Sequence, residues 1–338
     1  MLTTHIDIEI YKHAKMNAQK FCNKNFKEAF EFVDFIKFLT TGTDLILYGI
    51  KESDINTIAL IHDDLFSGKD ESKRPKKNKN SFIDENIEID DSKPYQLFFL
   101  NCEDEENNYY KLDQSTYITG FLNNYVEVFK KFNCDYMLRV SDSKAKNKFV
   151  SWHKTLPELP VTDLIINDPY LFDENEIKDE TGAVKKTNPI DKNAVVLFEA
   201  LKNKYNQLKR VLIFTYINWK KLGCEEGDKA CTEQKRIELE NKTKKIFGKK
   251  IQVNLIRNTR EHDRYIFSNY FCINIGSSMN AFNDEKGRQS NKNTSSMRVL
   301  SYANDSNFFN ATTILNVLFR QPECKRQKIV NHLFNHKY

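Results

Sequence analysis

The residues best able to do chemistry lie in the last third of the chain, where His262 and Arg264 are two positions apart. A β-strand turns such residues to one face, so a single strand can present both side chains together. A second alternating run, Phe271 to Ile275, follows and ends in a small, hydroxyl-rich turn, Gly276 to Asn280. Strands that meet in this way can point an imidazole, a guanidinium and hydroxyl groups at one anion. The spacing therefore predicts a phosphate-sized pocket.

The same stretch resembles the signature of the phospholipase D superfamily, which reads H-x-K, four residues, D, six residues, then G-S-x-N. Here the order is His262-x-Arg264, four residues, Asn269, six residues, then the Gly276–Asn280 turn, whose Asn comes one residue late. Arg replaces Lys, and Asn replaces Asp. This version looks most like the degenerate phospholipase D-like domain at the C-terminus of MIT-containing (microtubule-interacting and trafficking) proteins.

The resemblance covers residues 150–338 through further pieces in the same order. Leu164 to Tyr170 (LIINDPY) resembles that domain's opening strand and its D-P-Y. A helix at 194–205, a strand at 211–215 and the segment 297–319 with Thr312-Thr313 fall in the expected places. The resemblance implies a non-hydrolytic, phosphoinositide-binding adaptor that dimerises. No MIT helical hairpin is evident in the N-terminal half, so the trafficking role is not carried over.

Active phospholipase D families use an unprotonated His as nucleophile, a second His as leaving-group acid, and Lys and hydroxyl donors on the phosphoryl oxygens. By this resemblance His262 is the candidate nucleophile, and the planar fork of Arg264 can grip two phosphate oxygens. The expected phosphate-binding residues are Arg264, Asn269, Ser277, Ser278 and Asn280. Asp168 and Tyr170 are expected at the pocket rim, although both also suit a strand terminator.

Two functions stay open. Asn269 cannot supply the carboxylate of the active family, which favours a protein that binds phosphate groups without cutting them. The retained His262 favours a metal-independent nuclease or phosphodiesterase instead. Since no second H-x-R or H-x-K occurs, such a site would have to be completed in a homodimer. Alternatively, residues 261–264 form an exposed charged turn without chemistry.

Charge distribution bears on the partner. The net charge is only +5, but Lys202 to Arg264 holds 17 Lys plus Arg against 8 Asp plus Glu, a surplus expected around the pocket. Such a surface attracts polyanions, here a nucleic acid (DNA or RNA not distinguished) or an anionic phospholipid. Tyr216 and Trp219 can stack on bases or form a core edge under lysine stems. The Lys/Asn/Ile/Phe-rich composition suggests a microbial role linked to nucleic acid, in defence.

The fold class expected is α/β, a mixed sheet flanked by helices in a phospholipase D-like domain at 151–338, after a smaller α/β domain at 1–150. Ligands of such sheets commonly bind at the carboxyl ends of the strands. Asp168 is expected at one such end, and His262 just beyond another. The first domain has no recognisable chemistry and is a candidate protein-binding region. Its expected elements are a helix at 8–39 split near 22–25, strands at 44–50, 55–61, 94–102, 136–140 and 147–152, a helix from Ser115 or Thr116 to Phe132, and a mobile charged loop at 67–93.

Neither a cofactor nor a metal is expected. The seven cysteines lack C-x-x-C spacing, and the closest pair, Cys224 and Cys231, has no second pair to complete a zinc site. No apolar run approaches about 18 residues, and the first residues lack a secretion signal. These features favour a reduced, cytoplasmic protein.

Overall fold

The described residues form two units, each built around its own β-sheet. The computed structural model describes residues 2–22, 25–51, 76–77, 89, 95–102, 117–140, 152–172, 176–178, 184–186, 194–216, 224–225, 227–257, 263–276 and 295–333. The first unit comprises Met1–Cys134, Ser301–Phe309 and His332–Tyr338, and the second comprises Asp135–Leu300 and Asn310–Asn331.

The first unit contains a parallel sheet in the order β3-β2-β1-β4-β5. Its strands are β1 (Thr3–Asp7), β2 (Asp44–Tyr48), β3 (Lys76–Lys77), β4 (Gln96–Leu100) and β5 (Ile118–Phe121). Its helices are α1 (Ile8–Cys22), α2 (Phe26–Thr41) and α3 (Tyr125–Phe132). Every residue of β4 is buried, as expected of a central parallel strand.

Aromatic packing holds the helices of this unit on the sheet. The ring of Phe35 on α2 lies 4.9 Å from that of Phe99 on β4 and 5.3 Å from that of Phe129 on α3. The helix predicted at 8–39 is split as expected. Asn25 caps α2 by accepting a hydrogen bond from the backbone N–H of Glu28.

The helix predicted from residue 115 or 116 is wrong at its start. Residues 118–121 form β5, and α3 begins only at Tyr125. The β-branched pair Ile118-Thr119 pairs in parallel with β4, which overrides the helical spacing of the apolar residues. Asn124 then accepts a hydrogen bond from the N–H of Phe121 at 2.7 Å and makes the turn between strand and helix.

The second unit is built on the predicted mixed sheet, in the order β11-β10-β7-β12-β13-β14-β6. The parallel strands are β7 (Asp163–Asn167), β10 (Arg210–Thr215) and β11 (Gln252–Arg257). The strands β12 (Arg264–Ser268), β13 (Phe271–Ile275), β14 (Ser295–Ser301) and β6 (Tyr136–Val140) complete it, while β8 (Glu176–Lys178) and β9 (Val184–Lys186) form a separate pair. The helices are α4 (Trp152–Thr155), α5 (Val195–Lys204), α6 (Lys229–Phe247), α7 (Asp305–Phe319, of which residues 310–319 belong to this unit) and α8 (Pro322–Arg326).

Strand β6 precedes residue 150 in the chain yet pairs antiparallel with β14 in this second sheet. The boundary expected at residue 150 stays a prediction. Trp152 starts the short helix α4 and does not end a strand. The strand expected at 55–61 and residues 147–151 lie outside the described residues, as does the charged loop at 67–93 except for Lys76, Lys77 and Ile89. None of the helices in the described part of the chain is long and apolar enough to cross a membrane.

A disulfide joins Cys224 to Cys231, which departs from the expectation of reduced cysteines. Asp228 caps α6 by accepting a hydrogen bond from the N–H of Cys231, so the chain turns back before the helix. That turn brings the two sulfur atoms together.

A partly buried ionic network joins α6 to β11. Arg236 donates to Glu240 at 2.7 Å and to the carbonyl of Leu255 at 3.0 Å, while Glu240 also accepts from the N–H of Leu255. Burial alone would raise the pKa of Glu240. Hydrogen bonds from Lys244, Leu255 and Arg236 outweigh it and lower the pKa below its usual value.

Replacing Glu240 by Gln is expected to reduce the free energy of unfolding by about 1–2 kcal/mol at pH 7, because Arg236 loses one of its two charged acceptors, the other being Glu233. The folded-state pKa is below the unfolded one, so the contribution is present above the unfolded value. It should disappear as the pH falls through the lowered folded-state value. Urea unfolding at neutral and acidic pH measures this. Glu238→Gln, which removes a more exposed pair with Lys235, should have little effect, and a pH-independent loss in Glu240→Gln would contradict the account.

Candidate functional site

The candidate site is the carboxyl edge of the seven-stranded sheet. The parallel strands β7, β10 and β11 end at this edge, and β12, which is antiparallel to β7, begins there. The residues brought to the edge are Asp168, just past β7, Thr215 and Arg257, which end β10 and β11, and Arg264, which starts β12. Ligands of α/β sheets are commonly bound at this edge.

Strand register places these four residues in a row. Thr215 pairs directly with Arg257. Asn167 pairs with Phe214 on one side and with Tyr265 on the other. One residue further along each strand, Asp168 lies beside Thr215 and beside Arg264. Paired positions on neighbouring strands point to the same face of a sheet. The row therefore reads Arg257, Thr215, Asp168, Arg264, and its two ends are three strand spacings, or about 14 Å, apart.

Arg264 is held in position by three groups. Its Nε lies 3.5 Å from Oδ1 of the fully buried Asp168, its guanidinium carbon lies 5.1 Å from the centre of the Tyr170 ring, and an Nη donates to the carbonyl of Gly276 at 3.5 Å. The carboxylate of Asp168 also accepts the backbone N–H of Tyr170 at 2.8 Å. One carboxylate thus orients both the ring and the guanidinium that packs over it.

The backbone around this group is fixed by further hydrogen bonds. The side-chain amide of Asn167, which is fully buried, donates to the carbonyl of Asp263 and so sets the start of β12. Past the ends of β7 and β10, the N–H of Asp168 donates to Phe214 and the N–H of Tyr216 donates to Pro169. The backbone hydrogen bonds between β7 and β10 therefore continue past the ends of both strands, which makes this edge of the sheet more rigid.

Two polar atoms in the row have neither a hydrogen-bond partner nor an ion-pair partner within the described part of the chain. These are Oγ1 of Thr215, whose side chain is fully buried, and Nε of Arg257. Buried polar atoms in proteins are nearly always hydrogen-bonded, so unpartnered ones indicate a place for a ligand or water. Guanidinium groups at the two ends of the row, with a hydroxyl between them, suit a ligand that carries more than one anionic group.

The sequence-predicted residues divide into two groups in space. Arg264, Asp168 and Tyr170 are brought together at the edge. Asn269 follows the other end of β12, about 16 Å along the strand, and is fully buried. Its Oδ1 accepts a hydrogen bond from the N–H of Thr162, before β7. The structure thus does not bring Asn269 to Arg264, because the chain reverses between β12 and β13 at the opposite edge.

His262, Ser277, Ser278 and Asn280 lie outside the described residues, and their expected roles stay predictions. Their chain neighbours are described. Asp263 precedes Arg264, and Gly276 follows Ile275, the residue that pairs with Arg264.

Thr215 and Arg257 were not expected from the sequence as site residues. The signal that could have found them is positional, since each ends a buried parallel strand of the pattern that places Asp168 at the edge. Tyr216 is exposed and does not belong to the core, whereas Trp219 lies outside the described residues.

Part of the positive surplus lies away from Arg264, and whether the rest surrounds the pocket stays a prediction. Exposed lysines gather where α6 ends and the chain turns toward β11, at Lys242, Lys245, Lys249 and Lys250. A helix that connects two parallel strands runs back to their amino ends, so this lysine group lies toward the opposite edge of the sheet.

Among the described residues, no group of three or more His, Cys, Asp or Glu side chains could hold a metal ion.

Comparison with known proteins gives a distant structural likeness. No protein-family model matches the chain, and no curated protein matches it significantly. Among solved structures, the crystal structure of polyphosphate kinase from Porphyromonas gingivalis aligns with a TM-score of 0.30 and 9% sequence identity. The alignment covers 56% of this chain and 26% of the kinase, so the chain spans about a quarter of that protein's length. A likeness at this level supports no argument about activity.

The Asp168–Arg264 pair should behave as a coupled unit in a double-mutant cycle. Arg264→Ala removes the cation that contacts the buried carboxylate, and Asp168→Asn removes the anion that contacts the guanidinium, so each should lower the free energy of unfolding by about 1–3 kcal/mol. The double variant should cost less than the sum of the two, as measured by urea unfolding. Strict additivity would show that the two side chains do not interact.

Proposed function

We propose that this chain is a phosphate-binding protein that engages a nucleic-acid backbone at the carboxyl edge of its seven-stranded sheet. The observation that carries the proposal is the oriented guanidinium of Arg264, held by Asp168, Tyr170 and Gly276. The resemblance of residues 262–280 to a phospholipase D signature supports the same ligand chemistry.

A positioned Arg favours phosphate for two reasons. The guanidinium has five N–H donors in a planar fork, and the fork matches two oxygens of a phosphate group. Because Asp168 and Tyr170 already restrict the side chain, less conformational entropy is lost when a ligand binds. Asp168 offsets part of the positive charge of Arg264, so a ligand would be recognised by the arrangement of its oxygen atoms as well as by its charge.

A nucleic acid suits this edge better than a single headgroup. Arg257 and Arg264 stand at the two ends of the row, about 14 Å apart, where repeated phosphates of one chain can meet both. The unpartnered hydroxyl of Thr215 lies between them. An isolated phosphate or a lipid headgroup would use one end and leave the other without a partner.

The described part of the edge supplies groups that bind and orient, so binding without cleavage is the function proposed. Cleavage would require His262 as nucleophile and a proton donor for the leaving oxygen, completed by a second copy of the chain. That reading rests on the sequence alone.

The proposal predicts salt-sensitive binding of labelled oligonucleotides, measured by fluorescence anisotropy in EDTA. Removing Arg264 together with its carboxylate partner, as Arg264→Ala with Asp168→Asn, should weaken binding about tenfold or more without leaving a buried charge unpaired. The plot of log affinity against log salt concentration should also become less steep, by about the slope that one phosphate contact contributes.

Lys245→Ala is the control, since it removes one positive charge on the opposite side of the sheet and should change affinity much less. The double variant keeps the net charge unchanged, so a loss in Lys245→Ala as large as or larger than the loss in the double variant would mean diffuse charge attraction and would contradict the site. EDTA-resistant cleavage that His262→Ala abolishes would replace the binder with the enzyme. Binding to phosphoinositide vesicles but to no oligonucleotide would replace nucleic acid with lipid.

A further inference from the structure

We infer that the nucleic acid bound at this edge is single-stranded, with its bases stacked on Tyr170 and Tyr216 while Arg257 and Arg264 hold its phosphates. The inference rests on the proposed function and adds the class of ligand. It follows from where the structure exposes aromatic rings.

Tyr170 and Tyr216 are exposed at the candidate site. Tyr170 is 39% exposed and Tyr216 is 36% exposed. By contrast, Tyr265 on β12 and Tyr270 in the turn after it are buried, and Tyr136 on β6 is partly buried. Large rings left open at an edge that also carries unpartnered polar atoms mark a binding surface.

The two tyrosines arise from neighbouring strand ends. The carbonyl of Pro169, which is part of the peptide bond to Tyr170, accepts the N–H of Tyr216 at 3.2 Å. The two backbones are therefore adjacent, one past β7 and the other past β10. These are the two central strands of the row, so both rings originate between the positions of Arg257 and Arg264.

Arg264 and Tyr170 already form a stacked pair, with the guanidinium over the ring at 5.1 Å. Single-stranded nucleic acids are recognised by such layers, in which bases stack on aromatic rings or on guanidinium planes. Ring stacking tolerates every base, so the surface is expected to bind with little sequence preference.

A duplex does not fit this arrangement. Its bases are stacked on each other and paired, so their faces are closed to Tyr170 and Tyr216, and only the phosphates remain for the arginines. A single strand offers phosphates and open base faces within the same short span. The exposed rings therefore distinguish the two ligands, whereas the arginines alone do not.

The test measures affinities for single-stranded DNA, single-stranded RNA and duplex DNA of about ten nucleotides, at one salt concentration. Single strands of at least one kind should bind about tenfold or more tightly than the duplex. Tyr216→Leu should weaken single-strand binding about fivefold or more, whereas Tyr216→Phe, which keeps the ring, should stay within about twofold. Duplex binding should be the same in all three proteins. Tyr216 is partly exposed, and equal thermal unfolding of the variants checks that the fold is retained.

The outcomes separate the inference from the function beneath it. If the duplex binds as tightly as single strands and Tyr216→Leu changes nothing, while the Arg264→Ala with Asp168→Asn variant still weakens binding, the single-strand inference is overturned and the phosphate site stands. If the Arg264 variant binds every oligonucleotide as the unmodified protein does, the proposed function itself fails.

Discussion

The second unit depends on one interaction for its candidate site, the contact between the buried carboxylate of Asp168 and the guanidinium of Arg264. A carboxylate with no exposure to solvent is tolerated only when its charge is met by a cation and by hydrogen bonds. Arg264 supplies the cation, and the N–H of Tyr170 supplies a hydrogen bond. The same pairing orients the guanidinium and keeps part of its positive charge at the rim. In the proposed function, the atoms that stabilise this edge therefore also orient the group that binds the ligand.

Sheet topology turns this local pair into an extended surface. Because β7, β10 and β11 are parallel and β12 runs against them, three strand ends and one strand start meet at one edge. Because of the strand register, each of the four strands contributes one residue to the row from Arg257 to Arg264, and no loop is needed to position these residues. Tyr170 and Tyr216, in the adjoining turns, leave their rings exposed. The lysines at the end of α6 lie toward the other edge.

The sequence predicts much of this arrangement because hydrophobic periodicity and strand ends are local properties. The mixed sheet and the split of the first helix near residues 22–25 follow from spacing, and the expected place of Asp168 at the pocket rim follows from the strand end and from the family resemblance. Other features depend on partners that are distant in the chain. Thr215 and Arg257 join the site only through register, and Asn269 leaves it because the β12–β13 turn lies at the opposite edge. The strand at Ile118–Phe121 needed its pairing with β4 to override a helical pattern.

The central claim is that the guanidinium groups of Arg257 and Arg264 contact the phosphates of a bound nucleic acid. The most direct measurement is an NMR titration of arginine Nε–H signals with a single-stranded oligonucleotide, the two signals being assigned through Arg257→Lys and Arg264→Lys variants. The account predicts that both signals shift together and saturate at the affinity measured by anisotropy. If both stay unchanged while the oligonucleotide binds, the phosphates lie elsewhere and the account is contradicted.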